Sequence, residues 1–277
     1  MIENNLDKVR STLDFLKSKF SVVPDLALVL GSGMGSIADE IEDQLIIPFG
    51  EIPNFPVPTV SGHAGRLVFG KLAGKSVVAM QGRFHFYEGY TMQEVTLPIR
   101  VFGLWGIKGL ILSNAAGGLN PNQKLGEVMW IKDHINLMGA NPLFGTHFPE
   151  WGERFPDMSQ IYRPDWIHIA QTICNQNGQM NSSGVYIGVS GPTYETPAEY
   201  KAFSSLGADA IGMSTVPEAI VARQMGMSCL AFSVISDLGV EGKIEEISHQ
   251  MVLENVQKAG KNMGRILKEL ISKITLK

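Results

Sequence analysis

Residues 26–35 read LALVLGSGMG, five consecutive apolar side chains that run straight into a glycine-rich loop. An apolar run this short and continuous is the signature of a strand buried on both faces, as in a parallel sheet. The loop it delivers, Gly31 to Gly35, lets the backbone come close to an anion, with consecutive N–H groups and the Ser32 hydroxyl as donors. A dinucleotide-binding fingerprint is the competing reading, and Glu51 falls about where its ribose-binding acid would stand. That fingerprint needs a third glycine at position 36, which is Ser36.

Working outward, the same rhythm of strand, polar loop and helix repeats. Before it, Leu6, Val9, Leu13, Leu16 and Phe20 recur at helical spacing and predict an opening amphipathic helix. After it, Arg66–Leu72 and Ser76–Met80 flank Ala73-Gly74 as a β-hairpin whose second arm ends at Gly82-Arg83. Thr91 and Glu94 form a capping box, so a helix is expected from there to about Trp105, bent by Pro98 and closed by Gly106. Leu110–Leu112 reads as a strand leading into a loop, Ser113 to Gly118. In the second half, Val185–Val189 is a strand, Thr196 to Glu199 a second capping box, and 210–212 a short strand before a helix over 217–225. Leu230–Ile235 is a strand ending at Ser236-Asp237, and a long amphipathic helix closes the chain from Ser248.

Alternating strands and helices predict an α/β fold: a single domain over residues 1–277 with a central mixed, largely parallel twisted β-sheet flanked by helices on both faces. Ligands in such folds bind beyond the carboxyl ends of the strands. The polar strand-end loops therefore point to one shared pocket.

Composition narrows the function. With 277 residues and 44% apolar content the chain can bury a substantial core. A net charge of -4 argues against general binding to nucleic acid. Cys174 and Cys229 are too few for a disulfide framework, and no stretch of eighteen apolar residues or signal-like N-terminus occurs, so a cytoplasmic protein without membrane attachment is expected.

Gly82 to Gly89 (GRFHFYEG) sets Arg83 and His85 two residues apart, on one side of an extended segment. An arginine fork beside a histidine suits a phosphate dianion, and a buried arginine paired to a carboxylate is the equally weighted alternative. His63 sits on a glycine-flanked loop, and from the residues alone it is a surface histidine. Glu195, before the cap at Thr196, is by default a first-turn acid. His85 and Glu88 lack a second ligand pair, so no metal site is expected.

Taken together the loops resemble the trimeric purine nucleoside phosphorylases. The matching segments are LGSGMG (30–35), SGHAGRLVFG (61–70), GRFHFYEGY (82–90), NAAGGLNP (114–121), GPTYET (191–196) and GMSTVPEAIVAR (212–223). The resemblance implies that Ser32, Arg83, His85, the Ala115 N–H and Ser214 surround phosphate, with His63 on a mobile loop beside it. Tyr87, Met213 and His249 would line the ribose, and Trp151 would be lent to a neighbouring subunit's ribose pocket. Tyr194, Glu195, Asp237, Ala115 and Gly117 would meet the purine, with His85, Glu195 and Asp237 the catalytic groups.

The implied activity is phosphorolysis of purine nucleosides by a homotrimer, with inorganic phosphate as co-substrate, no cofactor and no metal. Glu195 favours a 6-oxopurine, because a carboxylate accepts from the N1–H that inosine and guanosine carry. Asp237 stands where the usual 6-oxopurine enzymes have asparagine, and methylthioadenosine phosphorylases carry an aspartate there. An aspartate can donate to N7 only when protonated. Methylthioadenosine or xanthosine phosphorolysis and a non-enzymatic nucleotide-binding module are the alternatives.

Overall fold

The structure is a computed structural model that describes residues 5–57, 59 and 64–276. Among them, nine strands make one sheet in the order β2-β3-β4-β1-β5-β8-β7-β6-β9, and β9 also pairs with β5. β1 (Leu26–Leu30) lies parallel to β4 (Lys75–Gln81) and to β5 (Gly109–Gly118), and β5 lies parallel to β9 (Ser228–Leu238). β2 (Glu42–Pro48) and β3 (Arg66–Leu72) extend the β4 side as antiparallel strands. β7 (Asn181–Val189) runs parallel to both β6 (Val128–Leu137) and the short β8 (Ala210–Gly212). The β5–β8 and β6–β9 pairings are antiparallel, which makes the sheet mixed as expected.

This arrangement decides where chemistry can occur. Because β1, β4, β5 and β9 all run the same way, the Gly31 loop, Gly82-Arg83, Gly117 and Asp237 emerge at one edge of the sheet. β8 runs back against the end of β5, with Ile211 opposite Gly117, so Met213 and Ser214 return toward the same edge.

Six helices flank the sheet among the described residues. α1 (Asn5–Lys19), α2 (Met92–Trp105) and α5 (Val216–Gln224) pack together, while α3 (Pro164–Gln176) packs on α6 (His249–Lys273). α4 (Pro197–Ser205) follows the loop after β7. Every residue of β1 is buried, and the core beneath it includes Trp130, Trp166 and Phe232. Trp130 and Phe232 meet with ring centroids 5.3 Å apart, across the β6–β9 pairing.

Both capping boxes form. The Thr91 hydroxyl accepts from Glu94 N while the Glu94 carboxylate accepts from Thr91 N, and Thr196 and Glu199 do the same for α4. The fold departs from the sequence expectation at the strand ends. Ser113 to Gly118 is not a loop: β5 continues through it, because β9 on one side and β8 on the other supply ladder partners. β9 likewise carries Ser236 and Asp237 inside the strand. Sequence patterning also leaves β2, β6 and α3 unassigned.

Thr91→Ala removes one exposed cap of α2, at a residue that does not line the pocket. It is expected to cost about 1 kcal/mol, near ~2–4 °C in Tm, with catalytic rates unchanged. Thermal unfolding of the two proteins measures it.

Candidate active site

The segment Gly82–Glu88 is positioned by alternation. Phe84 is buried against Phe49, Phe55 and Tyr90, at centroid distances of 5.1, 6.0 and 6.2 Å. In an extended segment its neighbours then face the other way. Arg83 and His85 accordingly line a cavity of about 110 Å³ at the strand edge.

Arg83 is almost completely buried, at 1% exposure. Its Nε and Nη2 donate to the two carboxylate oxygens of Glu218, at 3.2 and 2.9 Å, and Nη1 donates to the Ser113 carbonyl at 2.6 Å. The fork therefore pairs with a carboxylate, one of the two readings that the sequence left open, and also lines the pocket. Close approach of this group explains Gly31, where an added Cβ would stand 2.5 Å from Ser113 O and 3.1 Å from Arg83 Nη1.

Glu218 belongs to α5, and its Oε2 also accepts from Thr215 N at 2.9 Å. Thr215 has φ +71°, a left-handed conformation that is strained for a β-branched residue and costs on the order of 1–3 kcal/mol. Glu218 and Asn114, whose Nδ2 donates to Thr215 Oγ1 at 2.8 Å, hold it there. The result aims Ser214, the preceding residue, into the pocket.

His85 Nδ1 stands 3.0 Å from Glu88 Oε1, and a carboxylate partner makes that nitrogen the donor. Burial, with the nearby Arg83 charge, lowers the His85 pKa despite Glu88, so the ring is neutral at pH 7 and presents its Nε2 lone pair. Burial works against ionisation of Glu88 as well. Donors from His85 and Thr59 outweigh it and hold that carboxyl at about 2. The His85 ring stacks on Tyr87 at 4.7 Å.

The opposite end of the pocket is acidic. In the β5–β9 ladder a bulge falls between Ala116 and Gly117, so Ser236 is the extra residue and Asp237 pairs with Gly117. Bulges of this kind re-aim side chains next to functional sites. The Ser236 hydroxyl lies 2.6 Å from Asp237 Oδ1 and 3.2 Å from Ala116 O. A Cβ on residue 117 would come within 2.8 Å of Asp237 Oδ2, so only glycine leaves Asp237 room. Burial raises the Asp237 pKa against the Ser236 hydroxyl. Burial also raises that of Glu195, and the Asp237 charge adds to it.

The sequence-derived residues Ser32, Arg83, His85, Tyr87, Ala115, Gly117, Tyr194, Glu195, Met213, Ser214, Asp237 and His249 all line this one pocket. His63 falls outside the described residues. Trp151 lies elsewhere: its ring, 6% exposed, packs 4.1 Å from the Arg100 guanidinium beside a separate small cavity. Glu218, Thr215 and Asn114 are structural partners that the sequence reading did not single out, and Glu88, weighed there only as a metal ligand beside His85, is instead its hydrogen-bond partner. The glycine loop leads into a 3-10 turn, Gly35–Glu40, and offers no α-helix N-terminus to a pyrophosphate, which weighs against the dinucleotide reading.

Residues 25–272 match the family model of the phosphorylase superfamily. The chain is 46% identical over 267 residues to purine nucleoside phosphorylase 1 of Geobacillus stearothermophilus, covering 96% of this chain and 97% of that one. The chain belongs to the purine nucleoside phosphorylases. The mouse family member is 43% identical over 281 residues, covering 99% of this chain and 97% of its own. Two solved structures of the Schistosoma mansoni phosphorylase superpose closely. The complex with adenosine gives a TM-score of 0.93 at 40% identity, and the complex with inosine 0.92 at 38%, each covering 98% of both chains. The phosphorylase fold and the sequence resemblance thus agree along the whole chain.

Glu218→Gln leaves a buried guanidinium without its counter-charge. Loss of about 3–5 kcal/mol of stability is expected, since removing one partner of a buried pair strands the other. Chemical denaturation tests this, and a loss below ~1 kcal/mol would mean the pair is not the organising contact.

Proposed function

We propose that the protein phosphorolyses purine nucleosides, with 6-oxopurines such as inosine and guanosine preferred, giving free base and (deoxy)ribose 1-phosphate for purine salvage. The observation that carries the reading is the polarity of one pocket. Anion-binding groups (Ser32, Arg83, His85, the Ala115 backbone and Ser214) gather at one end, and two carboxyls with raised pKa stand at the other.

Glycosidic cleavage builds positive charge on the ribose and negative charge on the purine, so both ends need stabilising. Inorganic phosphate, the co-substrate, would be held in line with the anomeric carbon by hydroxyls, backbone N–H and Arg83. Because Glu218 compensates the Arg83 charge, these donors act more by fixed geometry than by net positive charge. Neutral His85, its Nδ1–H committed to Glu88, can accept a proton or a hydrogen bond from phosphate at Nε2. Tyr87, Met213 and His249 would flank the ribose.

Burial disfavours the charged form of both carboxyls, and the scheme gives the proton to Asp237, because N7 needs a donor, and the charge to Glu195, because N1–H needs an acceptor. Glu195 then accepts from the purine N1–H while Asp237 donates to N7, dispersing the leaving group's charge. Such proton assistance is commonly worth about 10²–10⁴-fold. Neither phosphate nor purine in this scheme calls for a cofactor or a metal.

We further propose one phosphorylase domain over 1–277, a cytoplasmic location and a homotrimer. The 142–163 segment supports the last, since Phe144 and Phe155 are exposed there by 68% and 87%, apolar surface that a neighbour would cover.

Incubation with inosine should yield hypoxanthine and ribose 1-phosphate only when phosphate is present. Release of free ribose without phosphate would contradict phosphorolysis. Inosine and guanosine should exceed adenosine in kcat/KM by at least ~10²-fold, because a carboxylate meets adenosine's N1 with no proton between them. Equal values would remove Glu195 from base choice. With a raised Asp237 pKa, the donor is present below that pKa and lost as pH rises through it, so kcat/KM for inosine should fall on that alkaline side. Asp237→Asn, an amide donor at every pH, should lack this limb. Full turnover with an unchanged profile would rule out the Asp237 role.

A further inference from the structure

The base end of the pocket does not close at Asp237. A second cavity, of about 320 Å³, lies beyond it, and Ser236, Asp237 and Val252 line both spaces. Leu125, Leu238, Ile247 and Met251 give this cavity apolar walls. The segment that roofs it is tied down: Lys243 Nζ donates to the Pro121 carbonyl at 2.9 Å, and Lys243 N closes a turn on Val240 O at 2.8 Å. Asn255 Nδ2 donates to Ser236 O at 2.8 Å, which satisfies that polar group of the wall within the protein. Leu125 and Met251 remain half exposed, so among the described residues this apolar surface is left partly uncovered.

We propose that this cavity extends the base subsite and accepts an apolar substituent carried on the purine edge that bears N7 and the 6-position. The inference rests on the reading in which Asp237 faces N7, since only then does that edge look toward the shared wall. Size permits it, because a cavity of roughly 150 Å³ already holds a benzene ring. Charge favours an apolar group over an anionic one, since Glu245 and Glu246 also line the cavity. Transfer of such a group from water into these walls is favourable in proportion to the apolar area buried.

The test is inhibition of inosine phosphorolysis by the 6-methylthio, 6-butylthio and 6-benzylthio purine ribonucleosides. All three lack the N1–H that Glu195 would accept, so that loss is common to the series and the trend reads the cavity alone. From methyl to benzyl the inhibition constant should fall by about tenfold or more. Leu125→Trp fills the cavity at a residue that does not line the pocket of Arg83 and Asp237 and should abolish the gain, while kcat/KM for inosine stays within about twofold. Met251→Trp, on the α6 wall, is the second filler and should act in the same direction. An inhibition constant that stays level or rises along the series overturns the proposal, as does a gain that survives both fillers. Failure to turn over inosine at all would instead overturn the reading beneath it.

Discussion

The buried ion pair between Arg83 and Glu218 is the contact on which the site depends. It joins the segment after β4 to the first turn of α5, residues 135 apart in the chain, and takes the middle of β5 into the same bond network through Ser113 O. A guanidinium at 1% exposure is tolerable only with such compensation, because the desolvation cost of an unpaired buried ion is several kcal/mol. The same carboxylate holds Thr215 at its positive φ, so one acid fixes both Arg83 and the backbone that presents Ser214. Arg83 and Ser214, from two distant stretches of sequence, are thereby locked into one geometry, the preorganisation that the proposed catalysis would use.

The pocket's other end follows a different rule. Around Arg83 charges are paired; around Asp237 two carboxyls are left together with a hydroxyl as the near partner of one of them. Two nearby acids in a desolvated site separate their protonation, one ionised and one neutral. The β-bulge at Ser236 and the missing side chain at Gly117 are what bring Asp237 there, so the meeting of two acids is a property of strand geometry.

Much of this was legible in the chain. The apolar run 26–30, the hairpin around Ala73-Gly74 and the capping boxes at Thr91 and Thr196 are local signals, and each formed. β2 is an edge strand with mostly exposed side chains, so burial never printed an alternation on it. β6 begins apolar and turns polar half-way, because only Val128–Trp130 lie against β9. α3 does bury Trp166, Ile167, Ala170, Ile173 and Cys174 at helical spacing, a signal present in the sequence and left unused. Glu218 was harder to see. Its partner is set by tertiary folding, yet the Thr215 to Glu218 capping spacing and a lone acid within the buried run 216–222 both point to a cation nearby.

The central claim is a prebuilt anion site with its arginine already locked. Crystal structures with and without phosphate and hypoxanthine test it most directly. Phosphate is expected within hydrogen-bond distance of Ser32, the Ala115 N–H and Ser214, with Arg83 paired to both Glu218 oxygens, at 2.9 and 3.2 Å, in both structures. An Arg83 that leaves Glu218 to chelate the anion, or an anion bound elsewhere, would contradict it.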